Sequence, residues 1–182
     1  MVDKIDFTDH SLAAFGRRPR SKTDTIVVHH LDIGDRSFGA AINFFTRDPE
    51  GIATVALRGT YQEKLPTIRR WKRDGVSIPY VRAGFVPYHF LVDEDGRIGR
   101  MLMLASKGAH AAGWNDRSVA ICVLGTFDVH EPTRVQLDAC RDLVMDLMAV
   151  YGRLRIIGHD ATLDEPKKCP GAKFPLERLE PT

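Results

Sequence analysis

Short apolar runs and one long amphipathic pattern dominate the distribution of hydrophobic residues in this chain. The short runs are rich in β-branched residues and have the length of buried strands. They cover residues 25–30, 88–92, 98–104, 118–124 and 155–157. Asp95-Gly96, between the second run and the third, is typical of a tight turn, so we expect these two runs to form a hairpin.

The long pattern predicts a helix that begins at Pro132 and ends at Gly152. Its apolar residues recur about every fourth position: Val135, Ala139, Leu143, Leu147 and Tyr151. A shorter helix, capped by Asp35 or Ser37, and a basic helix over residues 67–74 are also predicted. Strands that alternate with helices predict an α/β fold, here one domain with a central mixed β-sheet flanked by helices.

Length and composition are consistent with one globular domain. The chain has 182 residues, 43% of them hydrophobic, and a formal net charge of +2. We expect a monomer in which residues 25–182 form the domain and residues 1–24 a solvated arm. So small a charge does not indicate a nucleic-acid partner. No apolar run approaches the roughly 18 residues of a membrane span, and the first ten residues lack the apolar segment of a secretory signal, so we expect synthesis in the cytoplasm.

Three side chains of the types that bind zinc follow apolar runs. His29 and His159 each end such a run, and Cys169 lies in Pro-Lys-Lys-Cys-Pro. Imidazole and thiolate suit a borderline-soft ion such as zinc, and three protein ligands leave one tetrahedral position for water. Because side chains alternate along a strand, only one of His29 and His30 should bind, and the pattern does not decide which.

The fold class predicts where such a site would lie. Ligands of open α/β sheets bind in a crevice outside the carboxyl ends of the strands. Because His29 and His159 each close a predicted strand, we expect them to share such a crevice. The other cysteines, Cys122 and Cys140, lie within apolar segments and are expected to be reduced core residues.

Four segments carry a family resemblance: T-I-V-V-H-H (25–30), P-Y-H-F-L-V-D-E-D-G-R-I (87–98), G-A-H-A-A-G-W-N-D-R-S-V-A-I-C-V-L-G (108–125), and G-H-D with P-K-K-C-P (158–170). In this order they resemble the zinc-dependent N-acetylmuramoyl-L-alanine amidases, the family shared by phage lysozyme-type amidases and peptidoglycan recognition proteins. The segments span nearly the whole chain from 25 to 170, and four matches in order are far more specific than any one alone.

The resemblance implies that three residues bind zinc: His29, His159 and Cys169. It also implies catalytic roles in the cleft for Tyr88, which would orient water or share in proton transfer, and for Lys167, which would stabilise an oxyanion. His110 matches a histidine that lines the site and would hydrogen-bond the substrate or the intermediate. Without the motif, Tyr88 would pass for an ordinary strand aromatic and Lys167 for a solvated loop lysine.

The implied reaction is zinc-dependent hydrolysis of the amide bond between N-acetylmuramic acid and L-alanine. Peptidoglycan, through its glycan strand and stem peptide, is the implied partner. The favoured role is a phage endolysin, released by a holin to act on the host cell wall. Two alternatives stay open, a non-catalytic peptidoglycan-recognition module and a bacterial housekeeping or recycling amidase.

Particular residues bear on those alternatives. Recognition modules typically lose a zinc ligand, often the cysteine, whereas this chain keeps Cys169. Some recycling relatives have a glutamate in the strand after the Trp-Asn loop, where this chain has Cys122, as in the phage lysozyme-like branch. The stretch between His159 and Cys169 is a couple of residues longer than in the phage enzymes, which leaves its path open. Residues 48–86 match poorly, so contacts from that segment cannot be transferred.

Overall fold

The computed structural model describes residues 4–6, 22–34, 36, 40–41, 87–102, 104–162 and 168–181. Within these ranges the strands are β1 (Lys4–Asp6), β2 (Thr25–Leu31), β3 (Phe90–Val92), β4 (Ile98–Arg100), β5 (Ser118–Leu124) and β6 (Arg155–Gly158). They form one sheet in the order β1-β4-β3-β5-β2-β6. β3 and β4 are antiparallel, and the other neighbouring pairs are parallel. The predicted α/β domain with a mixed central sheet is confirmed.

The two longest strands, β2 and β5, lie side by side near the centre of the sheet. They pair over seven residues, from Thr25 opposite Ser118 to Leu31 opposite Leu124. Every residue of β5 is buried, and so is every residue of β2 except the half-buried His30. Near-continuous apolar runs are typical of parallel strands that are covered on both faces, and for this reason the sequence located these two strands well.

The predicted hairpin is confirmed, but both strands are shorter than expected: β3 begins at Phe90 rather than at residue 88. β3 and β4 pair over three residues each. The expected strand over 98–104 ends at Arg100, because the next two backbone N–H groups converge on one carbonyl, that of His89, and break the ladder. Gly96 in the turn has φ 76°, and a Cβ there would lie 2.6 Å from the carbonyl oxygen of Val135, so only glycine fits.

The long helix, α1 (Arg134–Tyr151), begins with a capping box that the sequence pattern did not reveal. The Thr133 hydroxyl accepts from the Gln136 backbone N–H at 3.2 Å, and the Gln136 side chain accepts from the Thr133 N–H at 3.0 Å. Gln136 Nε2 also donates to the carbonyl of Leu124 at 2.9 Å, which ties the helix start to the end of β5. Gly152, with φ 77°, follows the last turn as predicted.

The alternation of side chains gives the sheet two different faces. One face, which we call the helix face, packs against α1 and is formed from the sheet by Ile26, Val28, Val119, Ile121 and Val123. The other, which we call the site face, is formed by the residues between them, among them Val27, His29, Ser118, Ala120 and Cys122. The helix face therefore holds the main hydrophobic core, whereas the site face mixes apolar and polar side chains.

Part of the predicted N-terminal arm belongs to the sheet. β1 lies at the sheet edge, parallel to β4. The boundary between arm and domain at residue 25 stays a prediction. Of the helix predicted after Asp35 or Ser37, the structure describes Ala40 and Ala41, which are helical, and the helix predicted at 67–74 lies outside the described residues.

The structure bears on the expectation about membranes only through the helices that it describes. In the ranges that the structure describes, no helix combines the length and the apolar character that crossing a bilayer requires.

Candidate metal centre

The strand register distinguishes the two adjacent histidines of β2. His29 lies opposite Cys122 of β5, on the site face, and is only 1% exposed. His30 lies on the helix face, where its ring centroid is 6.2 Å from that of Phe127. The choice that the sequence pattern left open therefore falls on His29.

The site lies on a face of the sheet, and the expectation of a crevice outside the strand ends is wrong for His29. β2 continues for two residues beyond His29, to Leu31. His159 directly follows β6, and its ring centroid lies 4.4 Å from that of His29. The strand extends past the end of the apolar run, so the imidazole projects from the sheet surface rather than from the strand terminus.

Cys169 completes a group of three possible metal ligands with the two histidines. One ligand atom from each of His29, His159 and Cys169 lies within 4.8 Å of the other two. The Cys169 Sγ is 4.0 Å from the His29 Nδ1. A tetrahedral zinc ion, with bonds of about 2.0 Å to nitrogen and 2.3 Å to sulfur, holds such atoms roughly 3.3–3.6 Å apart. Two imidazoles with one thiolate form a donor set that fits zinc.

Two backbone contacts bring the cysteine loop to the end of β6. The Asp160 N–H donates to the Cys169 carbonyl at 2.8 Å. A Cβ at Gly158 would lie 2.8 Å from the Pro170 Cδ and 3.2 Å from the Cys169 carbonyl oxygen. The cysteine loop therefore packs directly on the backbone of β6, at a glycine that leaves room for it.

The same loop is fastened from its other side to the turn after β5. The Ala172 N–H donates to the Asp128 carboxylate at 3.1 Å, and the Lys173 N–H donates to the Phe127 carbonyl at 2.8 Å. Gly171 has φ 110°, and a Cβ there would lie 2.5 Å from the carbonyl carbon of Phe127. Contacts on both sides thus fix the position of Cys169 relative to the sheet.

Burial shifts the pKa values of two of the three side chains in this group, His29 and Cys169. Desolvation, followed by the neighbouring His110 and His159, lowers the pKa of His29 well below its usual range, so the ring is neutral at neutral pH. Burial also raises the pKa of the Cys169 thiol, against which a hydrogen bond from the His30 backbone acts. A neutral imidazole is the form that binds metal, and a bound cation would favour the thiolate.

His110 contacts the metal-binding group through His29. Its Nδ1 lies 3.1 Å from the His29 Nε2, and the two rings meet edge to face with centroids 5.1 Å apart. The Asn115 side-chain oxygen accepts from the N–H groups of His110 and Ala111 at 2.8 and 3.0 Å. Asn115 therefore shapes the loop that carries His110.

Tyr88 lies beside His29, with ring centroids 4.9 Å apart. Its ring packs in the smaller core cluster that includes Cys122. Burial, with a further contribution from Cys122 and Cys169, raises the pKa of the Tyr88 phenol far above its usual value. Tyr88 is therefore a neutral hydroxyl at neutral pH, able to donate or accept a hydrogen bond.

His89 is fully buried and has a structural role. Its Nδ1 accepts from the Ala120 N–H at 3.0 Å, and its Nε2 lies 2.9 Å from the Ser106 carbonyl, to which it donates. The ring thus joins the start of β3 to β5 and to the loop before His110.

The structure brings together five of the six predicted site residues: His29, His159, Cys169, Tyr88 and His110. The sixth, Lys167, lies outside the described residues. Sequence reasoning missed Ser118, whose hydroxyl oxygen lies 3.4 Å from the His110 Nε2, and Gly108, where a Cβ would lie 2.5 Å from the His110 ring. A serine that opens an apolar strand gave no signal of its own, because its partner is set by the path of the preceding loop.

Comparison with known proteins supplies the family. The family model described as N-acetylmuramoyl-L-alanine amidase matches residues 19–172. The chain is 30% identical over 129 residues to the endolysin of Klebsiella phage KP32, which covers 68% of this chain and 78% of that endolysin.

Solved structures share the fold at lower identity. The amidase LysC from Clostridium intestinale has a TM-score of 0.62 at 22% identity, covering 98% of this chain and 95% of its own. The endolysin of the Thermus scotoductus bacteriophage Ph2119 has a TM-score of 0.65 at 18% identity, covering 93% and 92%. With the family match over most of the chain, the recognition and the predicted enzyme class are confirmed: the chain belongs to the N-acetylmuramoyl-L-alanine amidase family.

Proposed function

We propose that this protein hydrolyses the amide bond between N-acetylmuramic acid and L-alanine in peptidoglycan, with a zinc ion held by His29, His159 and Cys169. Family membership supports peptidoglycan amidase activity in general. The observation that carries the finer proposal is the group of two imidazoles and one thiol, with ligand atoms within 4.8 Å, on one face of the sheet. Zinc in such a site supplies Lewis acidity toward a water molecule and toward the scissile carbonyl.

The side chains around this group have distinct tasks in the proposal. Tyr88, a neutral hydroxyl beside His29, orients the attacking water by a hydrogen bond and relays a proton. Lys167, two residues before Cys169, stabilises the negative charge that develops on the carbonyl oxygen. His110 holds His29 rather than the substrate, because its Nδ1 faces the His29 Nε2 at 3.1 Å.

The biological setting is a finer part of the proposal. The endolysin of Klebsiella phage KP32 aligns with this chain over most of its own length. We therefore assign the protein a role as a phage endolysin, made in the cytoplasm and acting on the cell wall after release. Glycan strand and stem peptide are its proposed ligands, and a monomer its proposed state.

Product analysis on purified peptidoglycan tests the reaction. The expected result is stem peptides with a free N-terminal L-alanine and intact glycan strands, lost on treatment with a zinc chelator and restored by added zinc. New reducing sugar ends would identify a glycosidase instead. Binding of peptidoglycan without any cleavage in zinc-replete buffer would identify a recognition module and would overturn the enzymatic proposal.

A further inference from the structure

A chain of buried side chains leads from His29, on the side away from Cys169, to the start of β5. The His29 Nε2 lies 3.1 Å from the His110 Nδ1, and the His110 Nε2 lies 3.4 Å from the Ser118 hydroxyl oxygen. That oxygen lies 2.7 Å from the carbonyl oxygen of Trp114. His29, His110 and Ser118 are 1%, 8% and 0% exposed, so the chain is shielded from bulk water.

The contact between Ser118 and Trp114 sets which group donates in each of these hydrogen bonds. A carbonyl oxygen only accepts, so the Ser118 O–H donates to Trp114. The 2.7 Å contact with Trp114 is much shorter than the 3.4 Å contact with His110, which places the hydroxyl proton toward Trp114. The serine oxygen then faces the His110 Nε2 with its lone pairs, and that nitrogen carries the proton.

The position of this proton decides which nitrogen of His29 is available to a metal. A neutral imidazole has one N–H, so with the proton on Nε2 the His110 Nδ1 is an acceptor. His29 must then donate from its own Nε2. Its Nδ1 is left with a free lone pair, and this is the atom that lies 4.0 Å from the Cys169 Sγ.

We propose that Ser118 is a positioning residue that fixes the tautomers of His110 and His29 and so keeps the His29 Nδ1 open for zinc. In the opposite arrangement His110 would donate from Nδ1, His29 would accept at Nε2, and the His29 proton would stand on Nδ1, in the place of the metal. The outer partner of a metal-binding histidine fixes its tautomer in this way in many metal sites. The consequence for zinc rests on the proposed function, whereas the tautomers do not.

Nitrogen NMR of the imidazole rings tests the proposal directly in the metal-free, full-length protein. Spectra are taken well above the usual imidazole pKa of about 6.5, where the rings are neutral. We expect His110 and His29 both to carry their proton on Nε2. Ser118→Ala should add a population with the proton on Nδ1 of His110, and Ser118→Thr, which keeps a hydroxyl, should retain the native tautomers.

Thr25 supplies a matched control. It lies opposite Ser118 in the register, is 1% exposed, and uses its hydroxyl on Asp24 at 2.8 Å. Thr25→Val therefore removes a buried hydroxyl at the same level of the sheet without touching the chain to His29. In this variant the tautomers of His29 and His110 should match those of the unaltered protein.

Zinc affinity, measured by competition with a chelator, gives a second readout. Ser118→Ala should weaken zinc binding roughly tenfold, whereas Ser118→Thr and Thr25→Val should not. A proton on the His110 Nδ1 in the unaltered protein, or unchanged tautomers in Ser118→Ala, would overturn the proposal. The first of these readings needs no variant, so a Ser118→Ala protein that does not fold leaves the test decisive. Failure of the proposed function would instead be an unaltered protein that binds no zinc, whatever its tautomers.

Discussion

The two faces of the central sheet use the same strands for different purposes. On the helix face, β2 and β5 present Ile26, Val28 and Ile121, which pack against α1 and are fully buried. One residue further along each strand, the site face presents His29 and Cys122, which are buried to the same degree. These apolar side chains of the helix face gain stability from burial alone, because they carry no polar group that needs a hydrogen-bond partner.

The site face has a stricter requirement. A polar group that is buried without a hydrogen-bond partner costs about 1–3 kcal/mol. The His29 ring meets this requirement through His110, and Ser118 meets it through the Trp114 carbonyl. The apolar residues of the helix face therefore tolerate exchange for others of similar volume, whereas each of these polar residues of the site face depends on one particular partner.

The largest effect is expected from removing the sulfur of Cys169 from the proposed zinc site. Cys169→Ser should lose most bound zinc and most peptidoglycan hydrolysis, because a hydroxyl is a much poorer zinc ligand than a thiolate. Metal analysis of the purified protein and an assay of released stem peptides measure the two losses. Full zinc occupancy in this variant would contradict the ligand set.

A core substitution on the helix face should have the opposite pattern, with lower stability and unchanged zinc affinity. Leu143 of α1 is 1% exposed, and Leu143→Ala should lower the free energy of unfolding by about 2–5 kcal/mol through lost contacts and a cavity. Chemical denaturation measures this loss. Zinc affinity of the folded variant should be unchanged, and a loss comparable to that of Cys169→Ser would show that the two faces are not independent.

Gly108→Ala should disturb the site through packing alone. The new Cβ would lie 2.5 Å from the His110 ring and 3.0 Å from the Pro87 carbonyl oxygen, so the ring must leave its present position against His29. Zinc affinity should fall on the order of tenfold, as for the loss of an outer partner, which chelator competition measures. Gly34→Ala is the control, because nothing lies within 4 Å of a Cβ there. Equal zinc affinity in both variants would contradict the proposal that His110 holds His29.

The smallest effect is expected at the start of α1. Thr133→Ala removes the hydroxyl that accepts from Gln136 and should lower the free energy of unfolding by about 1 kcal/mol. Hydrolysis and zinc content should stay as they are, because the contacts of the cap run to Glu94 in the turn after β3 and to the end of β5, away from His29. An unchanged unfolding midpoint in thermal or chemical denaturation would mean that the capping box adds no stability.

Local periodicity predicted much of the fold. The near-continuous apolar runs of β2 and β5 and the period near four in α1 are properties of adjacent residues, so they can be read without knowledge of distant partners. β5 was predicted over its full length, and the end of α1 at Gly152 was correct. The end of β4 was not, because it depends on which carbonyl the following N–H groups reach.

The chemistry of the three proposed metal ligands could also be predicted from the sequence, because imidazole and thiol groups are intrinsic to His29, His159 and Cys169. Their meeting was not. The His29 and Cys169 atoms that lie 4.0 Å apart belong to residues 140 positions apart in the chain, and loop packing at Gly158 and Gly171 brings them together.

The register of β2 against β5 then selects His29 over His30, and the path of the loop before β5 places His110 and Ser118 behind the chosen ring. Residue types and local periodicities belong to the sequence, and from them come the strands, the helix and the kind of metal site. The choice between neighbouring histidines and the partner of each buried polar atom depend on contacts between distant segments, which form only when the chain is folded.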